Sequence, residues 1–427
     1  MTKSKSEQKR GGLVAQMVKG ATGPVTSALP LFALPLAGAA LLPSGQFAMW
    51  SILGSISTLA LSLDFGGPAY LASRLDPRNR NKPFIAATAM TCIGTAAVGL
   101  LSMCAWIPFS RTDAGESFPF LSGVGAIATI TCGSALRSVI QLQAQVALFD
   151  RRFVLRNTLL LVHAATALAI ALLLLITERT AWALPIAWLV AGVAGCVIGS
   201  VVLIRPVHRH LDTDWQIETA GVASVKTYAW ARTIANVLRG FLMQADRWIV
   251  GAIGGPSVLA AYEIAWRVAA LPRFLAENLT FIVGLDAARV RASSDAELTA
   301  SVTYSMRFTA ILLAAVSAGA ALLYALLPSI TGINIAWAAF LLLLVTHGAV
   351  ATAAPISFVG NGIGIPTIDL PYLCLSVAIC IVSAIFAEMT GQVYVFIGGT
   401  TAAMLVGNIW FVVYGLKRLR EATRPAI

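Results

Sequence analysis

From Leu13 onward the chain consists almost entirely of apolar runs, each about 20 residues or longer, joined by short polar segments. A helix of that length crosses the hydrocarbon core of a bilayer, where every backbone amide must be bonded within its own segment. A chain with so many such runs can fold only as a bundle of membrane-crossing helices. Twelve are predicted, over roughly 13–42, 45–73, 84–107, 119–148, 154–177, 182–204, 226–253, 257–288, 300–328, 334–360, 369–389 and 393–416. Charged residues make up only 11% of the chain, against about 25% in soluble domains. The expected fold class is an all-α polytopic membrane protein, with twelve transmembrane helices in two six-helix lobes related by pseudo-two-fold symmetry.

Loop charge sets the expected orientation. Alternate loops, among them those holding Arg74, Arg78, Arg80 and Lys82, or Arg151, Arg152 and Arg156, collect twenty basic residues with the two ends of the chain. The opposite loops hold Arg111 and Arg179. Basic loops stay on the cytoplasmic side, which places both termini in the cytoplasm. The Ala37-Gly38-Ala39 triplet imitates a signal-peptidase site, but the apolar run before it is too long for a signal core, so no cleavage is expected. The longest loop divides the chain into an N-terminal lobe (1–204), a cytoplasmic linker (205–225) and a C-terminal lobe (226–427). A weak repeat, LLPSGQFAMWSILGSISTLALSLDFGGPAYLASRL against AIGGPSVLAAYEIAWRVAALPRFLAENLTFIVGL, fits two parallel halves about an axis along the membrane normal.

The hairpin from Lys226 to Arg291 breaks the apolar rule. It carries Arg232, Arg239, Asp246, Arg247, Glu263, Arg267, Arg273, Glu277 and Asp286 in segments long enough to span. Charges at membrane depth cost several kcal/mol each and normally face a bundle interior or a watery cavity. Arg232, Asn236, Arg239, Met243 and Asp246 recur on one helical face. A rise of 1.5 Å per residue puts Arg239 and Arg273 at one level, roughly 20 and 22 Å from the cytoplasmic end. Asp246 and Arg247 share a level with Glu263 and Arg267 nearer the other surface. Two readings coexist. The outer charges form staples, Asp246 with Arg267 and Glu277 with Arg232, or act in coupling. Arg239 and Arg273, lacking full partners, offer guanidinium forks to an anion.

The first half adds a smaller constellation, Asp64 in LSLDFGGP and Arg137 with Gln141 and Gln145 on its face, at depths that let Asp64 and Arg137 pair. Candidate substrate-binding residues are therefore Arg239, Arg273, Arg232, Arg267 and Arg137. Candidate coupling or gating residues are Asp246, Glu263, Asp64 and Arg247. Pro24, Pro30, Pro35 and Pro355 are candidate hinges. His163 and His347 stand alone on helices, and the six cysteines lie singly in apolar segments, which suits packing better than metal or disulfide chemistry. With no phosphate-binding glycine loop and no catalytic or metal-ligand cluster, no cofactor, metal or catalytic residue is expected. The dispersed net charge of +11 does not form a nucleic-acid groove.

The stretch LPLFALPLAGAALLPSGQFAMWSILGSISTLALSLDFGGPAYLASRL resembles the start of Wzx-type polysaccharide and O-antigen flippases. In that pattern a proline-containing helix leads through a G-x-[FY] turn to a long second helix closing on an acidic-[FL]-G element. QADRWIVGAIGGPSVLAAYEIAWRVAALP resembles the same family's opening of the second half; the end of helix eight, FIVGLDAARV, departs from it in lacking a proline. The resemblance implies membership of the multidrug/oligosaccharidyl-lipid/polysaccharide exporter superfamily, with alternating access and a cationic cavity. The expected function is a transporter, not an enzyme, that flips a polyprenyl-diphosphate-linked oligosaccharide across the bacterial cytoplasmic membrane. Its expected partners are that substrate, membrane lipids, H+ or Na+ as coupling ion, and other polysaccharide-assembly proteins. An ion-coupled multidrug exporter is the first alternative, although it calls for a net-acidic cavity. A membrane-embedded glycan enzyme or a scaffold comes after it.

Overall fold

In the computed structural model the described residues are 32–74, 81–116, 118–149, 152–203, 225–290, 295–331, 337–363 and 365–423. They form helices α1 (Phe32–Leu41), α2 (Ser44–Ser62), α3 (Gly67–Arg74), α4 (Asn81–Phe109), α5 (Asp113–Glu116), α6 (Phe120–Phe149) and α7 (Phe153–Thr177). There follow α8 (Ala183–Leu203), α9 (Val225–Val290), α10 (Asp295–Thr331), α11 (Trp337–Gly362), α12 (Leu370–Thr390) and α13 (Val393–Thr423). Among the described residues nine helices are long and apolar enough to cross a membrane. α2 is not one of the nine; five serines and Thr58 dilute its apolar character. Residues 205–224 of the predicted linker (205–225), Pro24, Pro30 and most of the basic loops lie outside the described residues.

The predicted single helix over 45–73 is two helices. α2 stops at Ser62 and the chain turns through Asp64, Phe65 and Gly66 before α3. Phe65 and Gly66 adopt positive φ values of 46° and 73°, which interrupts the i→i−4 ladder. Asp64 holds the turn: its Oδ1 accepts the Gly66 N–H at 2.9 Å and its carbonyl accepts the Gly67 N–H at 2.9 Å. The LDFGGP signal was present in the sequence, but an apolar run on both sides masks a turn of this kind.

α4, α6, α7 and α8 pack mainly against one another, and α10 to α13 pack against each other and against α9. The two groups meet where α2, α3 and α5 lie against α9. At that seam the Trp248 indole N–H donates to Ser55 Oγ at 3.1 Å, and Phe109 meets the Trp248 ring edge-on at 5.1 Å. Toward the other end of α9, Phe65 meets Trp230 at 6.3 Å and Phe32 meets Phe274 at 5.2 Å. Aromatic contacts of this kind add about 0.5–1.5 kcal/mol each beyond area burial in water. The serines of α2 are used inward: Ser51 and Ser55 bond to carbonyls of their own helix, and Ser57 accepts from Ser134 of α6 at 3.0 Å. Small polar residues that let helices approach and bond across are the usual adhesive between helices in lipid.

Candidate functional site

α9 is a hairpin. Its helical run is interrupted at Gly255, with φ 74° and ψ −176°, a conformation that only glycine tolerates. Pro256 opens the second limb, where its missing N–H costs nothing because a first-turn donor has no intrahelical partner. The limbs then run back along each other, so that Tyr262 reaches Asp246, Glu263 reaches Arg247 and Arg273 reaches Met243. The two helices predicted over 226–253 and 257–288, and the shared levels predicted for their charges, therefore hold.

Nearer the turn lies a closed charge cluster. Arg247 is fully buried. Its Nε donates to Glu263 Oε2 at 2.6 Å, and its Nη1 donates to Met243 O, Gln244 Oε1 and Asp246 Oδ1 at 2.9, 3.0 and 3.1 Å. Trp266 lies under its guanidinium at 4.1 Å. Tyr262 OH donates to Asp246 Oδ2 at 2.6 Å, and Arg267 Nε donates to Glu263 Oε1 at 2.6 Å. Two guanidinium groups thus face two carboxylates, and all four carboxylate oxygens have partners. The expected pairing of Asp246 with Arg267 is replaced. Glu263 lies one helical turn from Arg267 on the same limb, so it takes that guanidinium, and Asp246 is left with Arg247 and Tyr262. A narrow cavity beside the cluster is lined by Met243, Asp246, Tyr262, Trp266, Thr346 and His347. His347 is buried there against Trp266, and neither ring nitrogen has a partner among the described residues.

Farther from the turn the arginines are partly accessible. Arg232 Nη1 donates to Asp369 Oδ2 and to Asn361 Oδ1, both at 3.0 Å, and its Nη2 donates to Asn236 at 3.3 Å. Arg239 Nη2 donates to Asp369 Oδ2 at 2.9 Å and approaches Ser357 Oγ at 3.4 Å. Arg273 Nε donates to Glu277 at 2.8 Å, and its Nη1 lies 2.8 Å from Met243 Sδ. Tyr372, on α12, is buried beside Arg239. Neither arginine lacks a carboxylate, contrary to expectation. Glu277 pairs with Arg273 four residues before it rather than with Arg232, and Asp369 binds Arg232 and Arg239 together.

Asp369 is the principal residue that sequence reasoning missed. It stands at the first turn of the segment LPYLCLSV, two residues before Pro371, where an acidic residue reads as an ordinary helix cap. It makes no cap bond; its side chain turns to the arginines instead. Ser357 and Asn361, one turn apart on α11, were missed for the same reason: nothing in their local sequence distinguishes them from packing polar residues.

In the first half the expected pair does not form. Asp64 is engaged in its own turn. Arg137 lies over the Trp188 ring at 5.5 Å, and among the described residues no carboxylate pairs with it. The α2 turn rotates Asp64 away from the face that a continuous helix would have given it. Gln145, on the face of Arg137 as expected, donates to the Pro68 carbonyl at 3.1 Å.

A helical bundle of this arrangement, with a polar hairpin at the seam of two packing groups, has the fold seen in transporters of the multidrug/oligosaccharidyl-lipid/polysaccharide (MOP) superfamily. The fold is similar to that of a MOP superfamily transporter from Pyrococcus furiosus, described as having a binding pocket of reverse polarity (TM-score 0.69, 12% identity, 97% of each chain covered). It is also similar to a Vibrio cholerae MATE transporter (TM-score 0.65, 14% identity, 96% of this chain and 98% of that one). An inward-facing MATE family transporter matches with a TM-score of 0.67 at 14% identity, over 92% of this chain and 96% of the other. No curated protein matches the sequence. The model of a family described as "Polysaccharide biosynthesis protein" matches residues 87–337, and the chain belongs to that family.

Proposed function

We propose that the protein is a flippase for a polyprenyl-diphosphate-linked oligosaccharide, working by alternating access between an N-terminal lobe (1–204) and a C-terminal lobe (226–427). Both termini are then cytoplasmic, and the start of α9 faces the compartment where lipid-linked sugars are assembled. The observation that carries this reading is the distribution of exposure among the charges. The side chains of Arg232 and Arg239 are 18% and 27% accessible, while Asp369 is wholly buried behind them; Arg273 and its partner Glu277 are 15% and 26% accessible. Formal charge is nearly balanced, yet around Arg232 and Arg239 an entering molecule meets guanidinium, which grips phosphate oxygens in a bidentate fork. A cationic drug would meet the wrong sign there. The lipid tail stays in the bilayer while the diphosphate and sugars pass along the polar face.

The closed cluster of Asp246, Arg247, Glu263 and Arg267 takes the coupling role in this reading. Binding of a proton or Na+ at its carboxylates loosens the pairing and changes how α9 sits against α2. Asp64, in the turn between α2 and α3, senses the approach of the two lobes, and Arg137 offers the first half's guanidinium to the sugar-phosphate portion.

The test is ligand-induced thermal stabilisation of the purified protein. A polyprenyl-diphosphate oligosaccharide should stabilise the native chain, and Arg239→Ala or Arg273→Ala should weaken that binding at least about tenfold, or about 1.4 kcal/mol. Lys at either position should restore part of the loss, since it keeps the charge without the fork. Equal stabilisation of native and Ala proteins would remove these arginines from the site.

A further inference from the structure

The Asp369 carboxylate is bonded in an uneven way. Arg232 Nη1, Arg239 Nη2 and Ser357 Oγ all converge on Oδ2, at 3.0, 2.9 and 2.7 Å. Oδ1 is buried and has no partner among the described residues. A buried carboxylate normally satisfies both oxygens, and leaving one bare carries the full desolvation penalty of that atom. One carboxylate shared by two guanidinium groups also leaves one positive charge uncompensated. A tetrahedral phosphate-type group, with three terminal oxygens at one centre, matches two guanidinium forks better than a carboxylate held through a single oxygen.

We propose that Asp369 is an internal counter-anion that closes a dianion site formed by Arg232 and Arg239, and that a diphosphate displaces it. This inference rests on the flippase reading for the identity of the dianion. Asp369 sits at the junction between α11 and α12, immediately before Leu370, so release of its carboxylate frees the start of α12. Displacement lowers the apparent affinity by the fraction of molecules whose site is already free. That competition also acts as a selectivity filter. Monoanionic phospholipid headgroups, abundant around the protein, gain too little from two guanidinium groups to displace a carboxylate already in place. A diphosphate, with more charge and more oxygens, gains enough. Discrimination of this kind comes from an element that opposes the wrong ligand rather than from a new contact to the right one.

The experiment uses the full chain in a neutral detergent, with inorganic diphosphate as probe and thermal stabilisation as readout. Asp369→Asn keeps the shape and removes the charge, and should lower the half-saturating diphosphate concentration at least tenfold. Ser357→Ala, which removes one of the three donors holding Oδ2, should shift it in the same direction by a smaller factor. Adding Arg239→Ala to Asp369→Asn should abolish the gain, and vesicles of anionic phospholipid should not compete with diphosphate for the native chain. Unchanged or weaker diphosphate binding in Asp369→Asn, or in Ser357→Ala should the former not fold, overturns the inference and makes Asp369 a support for the arginines. If the native chain still binds the lipid-linked oligosaccharide in that case, the flippase reading survives. If Asp369→Asn gains diphosphate binding while neither protein binds the lipid-linked substrate, the site stands and the flippase reading falls.

Discussion

Arg247 shows how much one side chain in this protein depends on its neighbours. It is fully buried, and its charge is matched by Glu263 at 2.6 Å, Asp246 at 3.1 Å and the Trp266 ring at 4.1 Å. Removing one partner from a buried pair leaves an uncompensated charge and costs about 3–5 kcal/mol, whereas replacing the pair by apolar groups can be neutral. Glu263→Gln should therefore lower the thermal stability of the purified protein by about that much, since Arg267 loses its partner as well. The double change Glu263→Leu with Arg247→Met should not recover the loss, because Arg267 still lacks Glu263 and Asp246 then loses Arg247. A Glu263→Gln protein as stable as the native one would show that the cluster is not held by ion pairing. Sequence periodicity had already brought these four charges to one level of the hairpin. The partners within the level were not legible, because a choice between residues one turn apart and residues across two helices depends on rotamers that spacing does not encode.

At the scale of elements, the hairpin was legible and the α2–α3 break was not, and both outcomes follow from glycine. Gly254-Gly255-Pro256 is punctuation that few helices survive, and it falls between two runs long enough to span. Gly66 sits instead within one apolar run, and only its positive φ, with Asp64 bonded back to it, reveals the turn. Asp369 was hidden by a third cause: a helix start looks the same in sequence whether its acidic residue caps the helix or reaches across to another one. Gly255 permits a direct test of the hairpin's geometry. A Cβ there would have no close neighbour, with Asp113 nearest at 3.9 Å, so a substitution meets backbone strain and almost nothing else. Gly255→Ala should destabilise the protein by about 1–3 kcal/mol, read as a lower unfolding temperature. No change in stability would mean that the limbs join through a different backbone conformation.

At the scale of the whole molecule, a family, a fold and a distribution of charge come together. The family match concerns polysaccharide biosynthesis, and the fold is shared with transporters at 12–14% identity, a likeness that carries no substrate with it. The substrate therefore rests on this chain's own residues: accessible guanidinium groups, with Asp369 buried behind Arg232 and Arg239, along a hairpin that lies at the seam of two packing groups. Alternating access needs that seam to open at one end and close at the other. Trp248 against Ser55 and Phe109 near the Gly255 turn, and Phe65 against Trp230 toward the start of α9, are the contacts that must exchange. The most direct measurement is transbilayer movement of a polyprenyl-diphosphate oligosaccharide in liposomes reconstituted with the purified protein. The account predicts movement that requires the protein, is lost in Arg239→Ala, and is not competed by cationic dyes. Failure to move the lipid-linked glycan, combined with gradient-driven export of a cationic dye by the same preparation, would contradict it.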